Sequence, residues 1–357
     1  MFSPLQDRTY RRLFAAQLIA LIGTGIATVA LGLLAYHIAG PDAGLVLGTA
    51  LAIKMVAYVG VSPAASVFAE WLPRRGFLIS LDAARAVIVL LLPLVDQIWQ
   101  IYLLVFLLQS ASAAFTPAFQ ATIPDILPDE AEYTKALSLS RLAYDLENLI
   151  SPALAAALLT VAGFHWLFAG TAIGFVLSAL LVRSVVLPAL AAGERGSGFY
   201  EKATKGVRYY LATPRLRGLL ALNLAAAAAG AMVLVNTVVY VRGILNRDDT
   251  DVALALAVFG AGSTVAALTL PTLLERISDR LVMLCGAAGL VLGLLAIGIA
   301  FAAGEAGWTA FLAVWLALGL GYSCALTPSG RLLRRSSHQE DRPALFAAQF
   351  ALSHACW

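Results

Sequence analysis

The chain alternates between long apolar runs and short polar breaks. A helix that crosses a bilayer needs about 20 mostly apolar residues. Ten runs reach that length, near 13–36, 44–68, 77–95, 99–117, 134–160, 164–185, 217–241, 252–274, 281–303 and 308–327. An eleventh opens at Pro343, behind Asp341 as a cap and with proline in the first turn, and reads ALFAAQFALSHACW to the last residue. At about 1.5 Å per residue this last run reaches roughly 22 Å, short of a hydrocarbon core of about 30 Å. The pattern predicts an all-α membrane protein with ten complete spans and a partial eleventh, cut off before it could cross.

Composition agrees with that reading. Of 357 residues, 61% are hydrophobic and 13% charged, against roughly 25% charged in a soluble domain, and mean hydropathy is +0.85. The net charge of +3 is small, and its placement is more telling. Arg8, Arg11, Arg12, Arg74, Arg75, the basic residues from Arg183 to Arg217, Arg276, Arg280, Arg331, Arg334, Arg335 and Arg342 all fall on one side if the spans alternate. Only Arg242 and Arg247 occupy the other side, beside the acidic run DDTD. Lysine and arginine mark cytoplasmic loops, so the N-terminus is expected in the cytoplasm of a bacterial-type inner (plasma) membrane. No small-residue cleavage site precedes the first span, which is expected to remain in the mature protein. Cys285, Cys324 and Cys356 lack the paired spacing of a disulfide framework or zinc site.

The polar stretch 188–216 separates a first half, 1–187, from an incomplete second half, 217–357. Lys202, Lys205 and Arg208 share a helical stretch there with Phe199, Val207 and Tyr209. It reads as a basic amphipathic helix resting on the inner leaflet, with a ligand or partner site as the alternative.

One device occurs twice. AEWLPRR follows the second span and LERISDR the eighth, each placing an acid, Glu70 or Glu275, five residues before an arginine, Arg75 or Arg280. Trp99 and Pro117 bracket the fourth span as Trp308 and Pro328 bracket the tenth. Repeats of this sort, two six-helix bundles around a midplane cavity, build many secondary transporters.

Here the chain resembles the major facilitator superfamily. Ala69, Glu70, Arg74 and Arg75 match the A-D and R-R elements of its signature G-x-L-A-D-R-x-G-R-R, with glutamate for aspartate, Trp71 for the first arginine and Pro73 for the glycine. AFTPAFQATIPDILPDE, residues 114–130, and the pair Asp82 and Arg85 resemble the branch of enterobactin exporters, which also has relatives like nickel-resistance permeases. SPALAAAL from Ser151 is similar to the antiporter signature G-P-x-x-G-G, with Pro152 matching and Ser151, Ala155 and Ala156 in place of glycines. The resemblance implies twelve helices, of which this chain would lack most of the eleventh and all of the twelfth. It also implies a cytoplasmic gate of Glu70, Arg74, Arg75, Asp82 and Arg85, with Glu275 and Arg280 as the second copy. Charges that only fix topology are the alternative.

Ionisable groups within a span are expensive and face protein or water. On the fifth run, Arg141, Tyr144, Asp145, Glu147, Asn148, Ser151 and Pro152 occupy one face at 100° per residue, and leucines and Ile150 cover the other. Arg141 and Asp145, four apart, can pair, which leaves Glu147 without a local cation and able to carry protons. A buried structural network is the alternative. Lys54, in mid-span, is expected as counter-ion for Asp145 or Glu147, while Gln17, Asn148, Asn223 and Asn236 are candidate cavity hydrogen-bonders. No nucleotide-binding loop or H-E-x-x-H motif is present. His354 and Cys356, two apart, do not share a helical face for metal. The expectation is a monomeric, non-enzymatic secondary transporter without cofactor, metal site or nucleic-acid partner. It would export a small molecule against protons by alternating access; a truncated relic unable to cycle and a nickel exporter are the alternatives.

Overall fold

The computed structural model describes residues 2–188, 199–247, 249–304 and 307–356. Helices dominate, and no strand occurs among the described residues. The first half comprises α1 (Arg8–Ala39), α2 (Ala43–Trp71), α3 (Arg74–Leu91), α4 (Ile98–Ile126), α5 (Glu130–Leu159) and α6 (His165–Arg183). A linker helix, α7 (Phe199–Ala212), leads to α8 (Pro214–Val238), α9 (Asp249–Arg276), α10 (Asp279–Ala302), α11 (Trp308–Leu326), α12 (Ser329–Arg335) and α13 (Arg342–His354).

Helix starts follow local chemistry. Asp7 caps α1 by accepting the Tyr10 N–H at 2.7 Å, and Asp129 caps α5 by accepting that of Glu132 at 2.9 Å. Pro117 does not close the fourth span as the sequence suggested: α4 runs through Pro117 and Pro124 to Ile126. Proline removes one backbone donor per site, and neighbouring helices tolerate such breaks inside a membrane bundle. Both prolines are buried.

Nine helices among the described residues are long and apolar enough to cross a membrane: α1 to α4, α6, α8 to α10, and α11 continued through α12. The remaining expected span is α5. It is 30 residues long, and several of its side chains lie outside the described residues. The expected partial eleventh forms α13, which packs against α2, α4 and α7.

Two bundles result. In the first, α1 packs on α5 and α6, and α3 on α4 and α6; in the second, α11 packs on α8, α9 and α10. Backbone-to-backbone approach sets the second bundle's spacing: a Cβ on Gly319 of α11 would lie 1.9 Å from the Phe259 carbonyl of α9. Each bundle has its own core, one around Ile26, Val89, Ile101 and Phe168, the other around Val233, Leu290, Phe311 and Trp315. Among the described residues the halves share an apolar core at one end, where Ala121 of α4 meets Tyr210, Leu219, Met283, Leu333 and Phe346. That end holds the start of α1, the α2–α3 and α4–α5 turns, α7 and α12, and is termed the arginine-rich face.

The linker helix differs from expectation. Rather than offering its apolar side to lipid, α7 docks on protein: Gly206 abuts Ala344 so closely that a Cβ would lie 2.1 Å from its carbonyl oxygen. Tyr210 donates to Gln349 Oε1 at 2.6 Å, Tyr209 to the Ser336 carbonyl at 2.7 Å, and Lys205 pairs with Asp341 at 2.8 Å.

Candidate functional site

Halfway along α5 lies a closed polar triangle. Arg141 Nη2 is 2.8 Å from Asp145 Oδ1, Arg141 Nε donates to Ser263 Oγ at 3.1 Å, and Ser263 Oγ donates to Asp145 Oδ2 at 2.8 Å. Ser263 belongs to α9 and is fully buried, so the triangle ties the halves together at depth. The Arg141 guanidinium also lies 4.9 Å from the Tyr322 ring centroid of α11, within range of a cation–π attraction. The local pair was visible in the sequence. Ser263 and Tyr322 were missed, because a single serine or tyrosine in an apolar helix carries no periodic signal.

Glu147 turns away from this triangle. Its Cγ lies 3.4 Å from where a Cβ on Gly25 of α1 would sit, and the opposing cation whose field acts on it is Lys54 of α2. Lys54 Nζ is 5.4 Å from the Tyr58 ring centroid. Tyr58 in turn packs tilted against Phe350 and edge-to-face on His354 of α13, with ring centroids 4.9 and 4.8 Å away. Lys54 and Glu147 therefore sit where α1, α2 and α5 converge, one aromatic layer from α13. Beside them Gln17 accepts from Ser140 at 3.3 Å. Ser151 donates to the Ile22 carbonyl at 3.3 Å, holding α5 on α1.

Other expected residues lie elsewhere. Asn223 donates to its own helix at Leu219, at 3.0 Å, and Asn236 to Met232 Sδ at 3.0 Å. The side chains of Asn148 and Glu70 lie outside the described residues. His354 Nδ1 and Cys356 Sγ bond the carbonyls of Phe350 and Leu352.

The expected gate divides. Asp82 and Arg85 form a buried ion pair inside the first bundle, with Ser178 donating to Asp82 at 2.8 Å and the guanidinium held between Phe115 and Phe175 at 4.1 and 4.6 Å. Asp82 lies eight residues, or about 12 Å, along α3 from Arg74. The pair thus clamps α3, α4 and α6 rather than joining the face charges.

At the arginine-rich face, Arg74 Nη1 meets Asp125 Oδ2 at 2.6 Å, and Arg342 of the second half pairs with the other oxygen of Asp125. Arg331 reaches Glu130 at 3.1 Å, Asp279 at 3.1 Å and Thr134 Oγ1 at 2.8 Å. Arg335 bridges the same two acids, 2.6 Å from Asp279. The Arg331 Nε–Asp279 contact is close in charge but not aligned as a hydrogen bond, since both atoms lack such a partner. Charge is inverted between halves: the start of α3 supplies a cation to an acid at the end of α4, whereas the start of α10 supplies an acid to cations on α12. That inversion lets Asp125 and Glu130 bind arginines across the interface. Arg75, Glu275 and Arg280, which made the repeat visible, are exposed and stand outside these pairs.

Two helical bundles joined at a charged face, with ionisable residues at mid-depth, have the multi-pass architecture of the major facilitator transporters, a non-enzymatic class. The chain belongs to the MFS_3 family of transmembrane secretion effectors, whose profile matches residues 1–330. It is 26% identical over 183 residues to macrolide efflux protein A of Streptococcus pyogenes, covering 50% of this chain and 44% of that protein. The match thus spans less than half the length of that relative. The uncharacterized MFS-type transporter YfiS of Bacillus subtilis (strain 168) is 25% identical over 327 residues, 88% of this chain and 76% of YfiS. Among solved structures, a bacterial homologue of the iron transporter ferroportin in its outward-facing state superposes with a TM-score of 0.76 at 15% identity, covering 98% of this chain and 89% of that one. The proton:xylose symporter XylE gives 0.75 at 14% identity, covering 98% and 86%. At these identities the structural likeness speaks for fold alone.

Proposed function

We propose that this chain is a proton-coupled exporter of an apolar small molecule, macrolide-like in class, working by alternating access in a bacterial inner membrane. The observation that carries the proposal is the division of labour on α5. Asp145 is held by Arg141 and Ser263, whereas Glu147, two residues on, faces α1 and answers, among the described residues, to the cation Lys54. A carboxylate with one desolvated counter-ion can exchange that partner for a proton. In this reading α5 crosses the membrane as the tenth span despite its charges, and the arginine-rich face is cytoplasmic. The shared core at that face corresponds to an outward-facing state. Cycling would open the Asp125–Arg342 and Glu130–Arg331–Arg335 contacts and release the α5–α9 triangle.

Likeness to macrolide efflux protein A supports the substrate class. The test is accumulation of a labelled macrolide in proteoliposomes holding the full chain, under an imposed pH gradient. Gradient-dependent accumulation that collapses with a protonophore supports the proposal; accumulation indifferent to the gradient opposes it.

A further inference from the structure

A polar cleft of about 670 Å³ opens on the arginine-rich face, apart from the transport residues. Tyr209, Thr213, Pro214 and Arg215 form one wall, at the α7–α8 junction, and Arg335, Ser336, Ser337 and His338 form the other, after α12. Among the described residues no carboxylate lines it. Arg215 is exposed and has no ion-pair partner among the described residues. The first turn of α8 begins here without a side-chain cap, adding its partial positive charge. Ser336 Oγ is buried without a hydrogen-bond partner, a state that polar atoms rarely keep. The charge balance points the same way: Arg331 and Arg335 are matched by Glu130 and Asp279, so Arg215 is surplus.

We infer that this cleft binds a phosphate group, held by Arg215, Arg335, His338 and the Ser336 hydroxyl. Guanidinium groups with converging hydroxyls suit a phosphate's several acceptor oxygens. The phosphate can come from an anionic lipid headgroup or from solution. Arg335 is shared with the cluster that joins the halves, so an occupant competes with Glu130 and Asp279 and loosens that joint. Binding itself does not depend on the transport proposal, and the first two assays below contain no transport step.

Three assays test it on the full chain, with the parent compared to Arg215→Gln and to Arg215→Gln/His338→Gln. Native mass spectrometry after partial delipidation from phosphatidylcholine–phosphatidylglycerol nanodiscs reads lipid retention. Calorimetric titration with inorganic phosphate in phosphatidylcholine nanodiscs reads the free anion. Loss of one charge-assisted contact is expected to weaken binding roughly tenfold. Retention of phosphatidylglycerol that falls in the variants assigns the site to lipid; phosphate heats that fall likewise assign it to a soluble anion. Equal retention in parent and variants, together with no phosphate heat in the parent, overturns the inference. Hydrogen exchange of 128–134 and 329–336 is expected to rise on occupancy in the parent alone, and unchanged exchange on an occupied site removes the link to the joint.

Discussion

Asp125 receives two arginines that have different consequences. Arg74 comes from the same half, and its contact survives any rigid rotation of the bundles; Arg342 comes from the other half and must let go when the face opens. The carboxylate is nearly sealed, at 1% side-chain exposure, with Arg342 at 15%. A hydrogen bond to a charged group contributes about 1.5–3 kcal/mol net. Arg342→Gln therefore shifts the balance between closed and open faces by about tenfold to a hundredfold toward open. Arg74→Gln removes a contact present in both states and costs stability instead, about 3–5 kcal/mol for half of a buried pair.

A cysteine at Ser62 reports the difference, because Ser62 Oγ donates to the Ala347 carbonyl at 3.1 Å where α2 closes on α13. Cys285, Cys324 and Cys356 would first be replaced by alanine. Arg342→Gln should then speed labelling by an impermeant thiol reagent added to the arginine-rich side by at least tenfold, a fold set by the smaller estimate, while Arg74→Gln leaves it near the parent rate and lowers the unfolding temperature. Equal acceleration by both substitutions, or none by Arg342→Gln, refutes the assignment of Arg342 as the state-dependent partner.

Two further predictions follow from packing at depth. Ser263→Ala removes one donor and one acceptor that join α9 to the Arg141–Asp145 pair, so thermal unfolding in detergent should show a loss of about 1–3 kcal/mol; an unchanged midpoint contradicts the triangle. Gly319→Ala forces a Cβ to within 1.9 Å of the Phe259 carbonyl, whereas Gly289→Ala meets nothing within 4 Å. The first should lose at least about 1–3 kcal/mol and the second almost nothing, and equal tolerance in parallel unfolding scans argues against the close α9–α11 approach.

What the sequence disclosed was whatever a helix encodes locally. Hydropathy located nine long apolar helices among the described residues, and the 100° periodicity of α5 put Arg141 and Asp145 on one face, where they pair. Pairing across the chain left no such trace. Asp125 and Arg342 are 217 residues apart, and Asp279 and Glu130 look like ordinary first-turn acids until α12 brings arginines to them. The repeat itself misled, because Glu275 and Arg280 are prominent in the sequence yet exposed, while neighbouring Asp279 is buried in the network. Asp82 and Arg85 were grouped with the face by resemblance, and only the packing of Phe115 and Phe175 around the guanidinium places them inside. The linker's amphipathic pattern showed an apolar side but not its cover, which proved to be α13.

The central claim, that Glu147 carries the coupled proton while Asp145 holds structure, is tested most directly by comparing two modes of transport in one variant. Glu147→Gln in proteoliposomes should lose accumulation driven by a pH gradient, because an amide cannot exchange a proton for Lys54, yet keep substrate counterflow without a gradient, which needs only the conformational cycle. Asp145→Asn should instead lower the folded yield and reduce both modes together. Gradient-driven accumulation by Glu147→Gln at the parent rate would contradict the account and move the proton site away from α5.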